Sequence, residues 1–239
     1  MRTRARLATS ALSLALLAGS ALAQPVLITT PTTVGPTDTT IGGVPLATAQ
    51  ITVRGTTLTM NGRFTIGSLT IERSPGNAPG ILTHGVNTSF DYSGGAGTDI
   101  VSGLDLTSIG LVLIEGASGA LVESRIDVVG RGFPGRQGPG TASYVGGGAG
   151  SGAGHGGAGS DGNSFLGGGC YGDPLAPSTF GSGGSGSCCA TPGAGGGRVR
   201  LVSGASIASF PAWASSGCNG RSSVPCTQAA SSSSSARPP

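Results

Sequence analysis

Ile51-Thr52-Val53, Leu58-Thr59-Met60, Leu69-Thr70-Ile71, Leu104-Asp105-Leu106 and Ile126-Asp127-Val128 alternate apolar and polar residues. Alternation of period two puts one set of side chains on one face, as in half-buried strands. Ile, Val, Leu and Thr fill these runs, and they suit a pleated surface. Turn formers separate them: Asn61-Gly62, Ser74-Pro75-Gly76-Asn77, Ser93-Gly94-Gly95 and Gly116-Ala117-Ser118-Gly119. The stretch from Ile51 to Val129 therefore predicts an all-β fold. The apolar pairs Ile81-Leu82, Leu104/Leu106 and Ile126/Val128 recur about every 22 residues, a spacing found in solenoids. Each turn of a solenoid buries its apolar face by stacking on the next. A sandwich of short strands with glycine-rich turns fits the same pattern, and periodicity does not separate the two.

Outward from this stretch, the N-terminus has the form of a secretory signal over residues 1–23. Arg2, Arg4 and Arg6 are its basic region, Leu12 to Leu17 its apolar region, and Ala21-Leu22-Ala23 its small-residue cleavage site. Cleavage is expected between Ala23 and Gln24. The apolar run is too short to span a bilayer, so the mature chain is expected to have no membrane span. Of the 13 basic residues, three lie in this leader, and none of the 10 acids does, so the mature chain is electrically balanced. That balance removes the electrostatic footprint of a nucleic-acid or anionic-membrane binder. All the basic residues are arginine, which excludes a P-loop. Residues 24–50 are rich in Thr and Pro. Val26-Leu27-Ile28 is one candidate strand there, and the segment is read as an extended leader or a cap for the β region.

From Gly130 to Gly197 the composition changes, and more than half of the 47 glycines fall here. Ordering a glycine costs the most backbone entropy, and the apolar return is small. That balance predicts a mobile or irregular arm; a packed glycine layer is the alternative. There is no collagen period.

Several phrases follow one another along the chain: Gly67-Ser-Leu-Thr-Ile-Glu-Arg73, Pro79-Gly-Ile-Leu-Thr-His84, Glu115-Gly-Ala-Ser-Gly-Ala-Leu-Val122, Gly130-Arg-Gly132, Gly150-Ser-Gly-Ala-Gly-His-Gly-Gly-Ala-Gly159, Tyr171-Gly-Asp-Pro-Leu175 and Phe180-Gly-Ser-Gly-Gly184. Together, over roughly residues 50–203, they resemble large secreted glycine-rich bacterial surface proteins with parallel β-helix repeats. The C-terminal tail is read from its composition as disordered, and the resemblance implies a short right-handed parallel β-helix with a long glycine-rich arm. It implies a secreted or cell-surface role and supplies no list of catalytic residues. The expected divisions are a leader (1–23), a β-solenoid region (24–129), the arm (130–197), and a returning strand with a low-complexity Ser/Ala/Cys tail (198–239). After Ser203 the pattern departs from that group. Two origins fit: a natural short form, or a reading-frame change. Arg198-Val199-Arg200-Leu201-Val202 is expected to return parallel to and beside residues 125–129. Val199 and Leu201 would point inward and both arginines outward.

Chemistry-bearing motifs are few. Gly94-Gly-Ala-Gly-Thr-Asp-Ile-Val-Ser102 fits the calcium nonapeptide, and Gly156-Gly-Ala-Gly-Ser-Asp161 fits its first part. Calcium sites of this kind need tandem copies, so Asp99 is read as a turn residue before a calcium ligand, and no cofactor is expected. Gly152, Gly154 and Gly157 lack the following helix that a dinucleotide motif requires. The alternative function is a secreted polysaccharide-cleaving β-helix enzyme, which needs clustered carboxylates. Asp91, Asp99, Asp105, Glu115, Glu123 and Asp127 are available. Asp105 and Asp127 would lie on neighbouring turns and point outward as a solvated face. His84 is read as a strand-end residue and His155 as part of the arm. Cys170, Cys188, Cys189, Cys218 and Cys226 favour disulfides in an oxidising compartment, and Cys218 with Cys226 is the most local non-adjacent pair. Partners are expected among cell-envelope or extracellular polysaccharides or other surface proteins. No nucleic acid is expected.

Overall fold

Val26, Ile51, Leu69 and Val112 lie in register on four neighbouring parallel strands. Each points inward, and all but Val26 are almost fully buried. This column belongs to the first of three parallel sheets in a computed structural model. The model describes residues 22–87, 103–116, 123–142, 150–162, 165–173, 178–186 and 191–210. The protein is all-β, and among the described residues the one helical element is a short 3-10 turn at Leu46–Thr48.

The first sheet contains β1 (Gln24–Ile28), β5 (Ala49–Arg54), β8 (Ser68–Glu72), β11 (Val112–Glu115) and β14 (Ile207–Phe210), in that spatial order. The second contains β2 (Thr32–Val34), β6 (Thr57–Met60), β9 (Ile81–Thr83) and β12 (Arg125–Ile126). The third contains β7 (Gly62–Ile66), β10 (Leu104–Ser108) and β13 (Val199–Ser203). Every pairing within the three sheets is parallel. From Ala49 onward the chain visits first, second and third sheets in the same cyclic order, circuit after circuit. An antiparallel hairpin, β3 (Thr40–Ile41) with β4 (Val44–Pro45), lies between the first two circuits. It buries Ile41, and Leu46 is buried just after it.

The alternating sequence explains the interior. In β5 the pattern buries Ala49, Ile51 and Val53, and in β7 it buries Phe64 and Ile66. These residues meet Leu58, Met60, Leu82, Leu104 and Leu106 from the other sheets in one core. Each such side chain contributes about 1.5–3 kcal/mol on full burial.

The pairing corrects two expectations. Leu82 stacks on Ile126 in the second sheet, whereas Leu104 and Leu106 belong to the third. The 22-residue recurrence therefore joins different sheets, because one circuit contains three strands. Asp105 and Asp127 are accordingly not neighbours. The returning strand is parallel but pairs with β10, Leu104 against Val199, and not with residues 125–129. The reason is cyclic order: the arm leaves after the second-sheet strand of its circuit and re-enters at the third sheet. Val199 and Leu201 do pack on the core, and Arg200 faces outward. One more strand, β14, follows that had not been expected.

The passage from second to third sheet lengthens along the chain. It is Asn61 in one circuit, residues 84–103 in the next, and residues 127–198 in the last. The described parts of the arm form no strand or helix, yet they are not loosely arranged. Gly132 N–H donates to Gly195 O at 2.8 Å, Gly181 N–H to Gly196 O at 2.9 Å, and Gly154 N–H to Gly140 O at 2.8 Å. Gly168 N–H donates to Gly152 O, and Gly184 N–H to Gly193 O, both at 2.9 Å. The described segments are irregular, one of the two expected forms, and they pack as a hydrogen-bonded layer, which was the alternative to a mobile arm. A Cβ on Gly168 or Gly195 would overlap a carbonyl of the next segment, so glycine allows the close approach that makes these bonds. Backbone pairing returns what side chains cannot.

Candidate functional site

Four groups of polar residues stand out, and the fold positions each. The first is a shallow cleft of about 450 Å³ at the C-terminal ends of the first-sheet strands. Arg54 on β5 and Glu72 on β8 are register neighbours, and Arg54 Nε donates to Glu72 Oε1 at 2.5 Å. Glu115 ends β11, and its Oε2 accepts the backbone N–H of Arg73 at 2.7 Å. Ser74, Pro75 and Asn77 complete the wall. The two carboxylates are thus engaged with arginine 54 and with backbone. The Nε and Nη2 of Arg73 are buried with no hydrogen-bond acceptor, closed off from the cleft's solvent.

The second group crosses the outer face of the third sheet. Asp105 is in register with Arg63 on β7 and with Arg200 on β13. Arg63 Nε donates to Asp105 Oδ2 at 3.2 Å, and Arg200 Nη1 to Asp105 Oδ1 at 3.0 Å. The Asp105 side chain is 7% exposed, against 65% for Arg63 and 62% for Arg200. Asp105 does point away from the core, as expected, but two arginines cover it, and it is not a solvated residue.

The third group is the root of the arm. His84 follows β9 and is fully buried. Its Nε2 accepts the N–H of Arg198 at 3.1 Å, so the ring proton sits on Nδ1 and is donated to Gly85 O at 2.6 Å. The ring packs edge-on to Phe180, and Phe180 edge-on to Phe133, giving the arm an aromatic anchor. Gly85 N–H in turn donates to Asn61 Oδ1 in the adjacent circuit.

The fourth is within the arm. His155 packs edge-on to Tyr171 with ring centroids 4.8 Å apart, and its Nε2 lies 3.0 Å from Thr179 Oγ1. Burial lowers the His155 pKa from its ordinary 6.5, and a hydrogen bond at Thr179 opposes that shift more weakly. The Tyr171 hydroxyl donates to Phe180 O and accepts from Ser182 Oγ.

Other sequence candidates are dispersed. Asp127 pairs with Arg125, two residues away, at 3.1 Å, and its Oδ1 accepts the N–H of Val129. Asp161, in the partial nonapeptide, accepts the N–H of Gly167, the role of a turn residue. Glu123 is exposed. Gln24 opens β1, directly after Ala23. Asp91, Asp99, Cys188, Cys189, Cys218 and Cys226 lie outside the described residues, so the calcium and disulfide candidates lie there too. Cys170 is an exposed free thiol. Among the described residues, no three His, Cys, Asp or Glu side chains come together as a metal site. No described helix is long and apolar enough to cross a membrane. Comparison with known families, curated proteins and solved structures finds no match.

Sequence reasoning missed Arg63 and Arg200 as partners of Asp105. A signal was present. Gly62-Arg-Phe-Thr-Ile66, Leu104-Asp-Leu-Thr-Ser108 and Val199-Arg-Leu-Val-Ser203 each put a charge just before the central apolar residue. Aligning these segments places the three charges in one row.

Proposed function

We propose that this chain is a secreted or cell-surface, non-catalytic protein built as a short right-handed parallel β-helix, with a structural or adhesion role. The observation that carries the reading is the cyclic passage of the chain through three parallel sheets around one apolar core. Parallel crossovers are overwhelmingly right-handed, which favours that hand for the coil. The order of glycine-rich phrases, similar to that of bacterial surface proteins, supports the location, as does the leader ending at Ala23. Acid placement among the described residues weighs against hydrolysis. Polysaccharide cleavage uses paired free carboxylates. Here Glu72, Asp105 and Asp127 each pair with an arginine, and Glu115 holds a backbone N–H.

Expression with the leader, followed by fractionation and N-terminal sequencing, tests the proposal. The expected product lies on the surface or in the medium and begins at Gln24. Cytoplasmic protein beginning at Met1 would overturn it. An assay for reducing ends released from acidic and neutral polysaccharides is expected to read background. Release abolished by Glu72→Gln or Glu115→Gln would establish the enzyme instead.

A further inference from the structure

We propose that the outer face of the third sheet binds an acidic polysaccharide through Arg63 and Arg200. The proposal deepens the surface-protein reading by naming a ligand and a site. It rests on that reading only for where the ligand is met.

Asp105 is the anchor. Its carboxylate is almost wholly withdrawn from water, yet both oxygens are engaged, one by each arginine. Register fixes the row, since Arg63, Asp105 and Arg200 occupy equivalent positions on β7, β10 and β13. Each arginine uses one nitrogen on Asp105, Nε for Arg63 and Nη1 for Arg200. Both side chains remain more than half exposed. Guanidinium groups bind carboxylate and sulfate oxygens in a planar, two-bond geometry that lysine does not reproduce. Long side chains ordinarily lose rotamer freedom on binding, and tethering to Asp105 removes part of that loss in advance.

The strands that carry the two arginines stand roughly 9.5 Å apart at ordinary strand spacing, and both guanidinium groups lean toward Asp105 between them. A polymer running along the stack axis meets both in succession. The row has two cations and one anion, a net charge of +1. Two residues further along each strand lie Thr65, Thr107 and Val202, again in register. Their hydroxyls and methyls match the hydroxyls and C–H faces of sugars. Nucleic acid fits less well. Among the described residues of these three strands no aromatic side chain projects outward for base stacking, because Phe64 points into the core. A cluster this weakly positive neutralises few phosphates.

The test uses the full chain and four probes: polygalacturonate for carboxylate, dextran sulfate for sulfate, neutral dextran, and single-stranded DNA. Titration calorimetry at low and physiological salt is expected to find binding to polygalacturonate, to dextran sulfate or to both. The stronger of the two identifies the acidic group. Affinity is expected to fall as salt rises and to drop about tenfold or more in Arg63→Gln/Arg200→Gln. Arg54→Gln, on another sheet, should leave it unchanged. Asp105→Asn makes the row more positive but frees the arginines, so weaker binding is expected, and tighter binding would overturn the anchoring role. Equal affinity for neutral dextran, stronger binding of DNA, no binding to either acidic polymer, or full binding by the double variant would each overturn the proposal. The double variant leaves Asp105 without these two partners, so a single cooperative melt, even at a lower temperature, checks that it folds. Export plays no part in the titration, so failure here and failure of the surface location are distinguishable.

Discussion

A methyl group on Gly168 would overlap the carbonyl oxygen of Gly140, whereas one on Gly157 would meet nothing within 4 Å. Both glycines lie in the arm, yet they face opposite consequences. Gly168→Ala is expected to destabilise the arm by about 1–3 kcal/mol, the usual cost of forcing extra atoms into a packed region. Gly157→Ala should be neutral or stabilising by about 0.4–1 kcal/mol, because alanine restricts the unfolded chain more than glycine does. Denaturant midpoints of the two variants measure the difference, and equal midpoints would contradict a packed glycine layer. His155 adds a pH dependence to the same region. Its pKa in the fold is lowered, so the unfolded chain takes up the proton first as the pH falls below 6.5. The stability it contributes is complete above 6.5 and is lost as the pH falls through the lower folded value. A ring titration by NMR should place its midpoint below 6.5. Between pH 7 and 5, His155→Gln should lose less stability than the parent protein.

At the scale of strands, Asp105 is the point at which two separate segments depend on one carboxylate. Asp105→Ala leaves two arginines facing each other across β10. A fully buried pair broken in this way costs several kcal/mol, but these arginines are largely in water, so about 1–2 kcal/mol is expected. Asp127→Ala removes a local pair with Arg125, and a loss of about half that or less is expected. Chemical denaturation of the two variants tests the ranking, and an equal loss would reduce the row to a surface decoration. The same strand shows what was legible. Alternation in Leu104-Asp105-Leu106 identified a strand and its inward face, because period-two burial is a local property. Its neighbours were not legible, since Arg63 and Arg200 come from distant segments and pairing depends on cyclic order. β14 was missed because Ile207-Ala208-Ser209 has small, weakly alternating residues, and register with Val112 organises it instead. The arm misled for a related reason. Composition counts side chains, and its packing comes from backbone donors and acceptors.

At the scale of the molecule, stability should follow position along the stack. Leu82, Leu104, Leu106 and Val112 are completely buried. Their register mates in the next circuit are Ile126, Val199, Leu201 and Ile207. These occupy the same inward positions but are only partly buried, and Ile207 is 41% exposed. Among the described residues, β12, β13 and β14 are the outermost strands of their sheets at this end, and no described strand lies beyond them. In stacked architectures each turn is held by its neighbours, so a turn with one neighbour opens more readily than one with two. The opposite end differs, since Ile41 of the β3–β4 hairpin and Leu46 just after it are buried in the core, and the turn at Leu46–Thr48 lies against β7. Amide exchange should therefore be slowest in β8, β10 and β11, and faster in β12, β13 and β14. Leu106 and Leu201 make the sharpest comparison, because they are the same residue type in one column of the third sheet. Leu106→Ala should cost about 2–5 kcal/mol, as expected for a leucine deleted from a closed core. Leu201→Ala removes the same atoms from a half-covered site, and about 1 kcal/mol is expected from its smaller buried area. Thermal or denaturant unfolding of both variants decides the matter. Equal losses would mean that the last circuit is as well covered as the middle one, and the gradient along the stack would have to be abandoned.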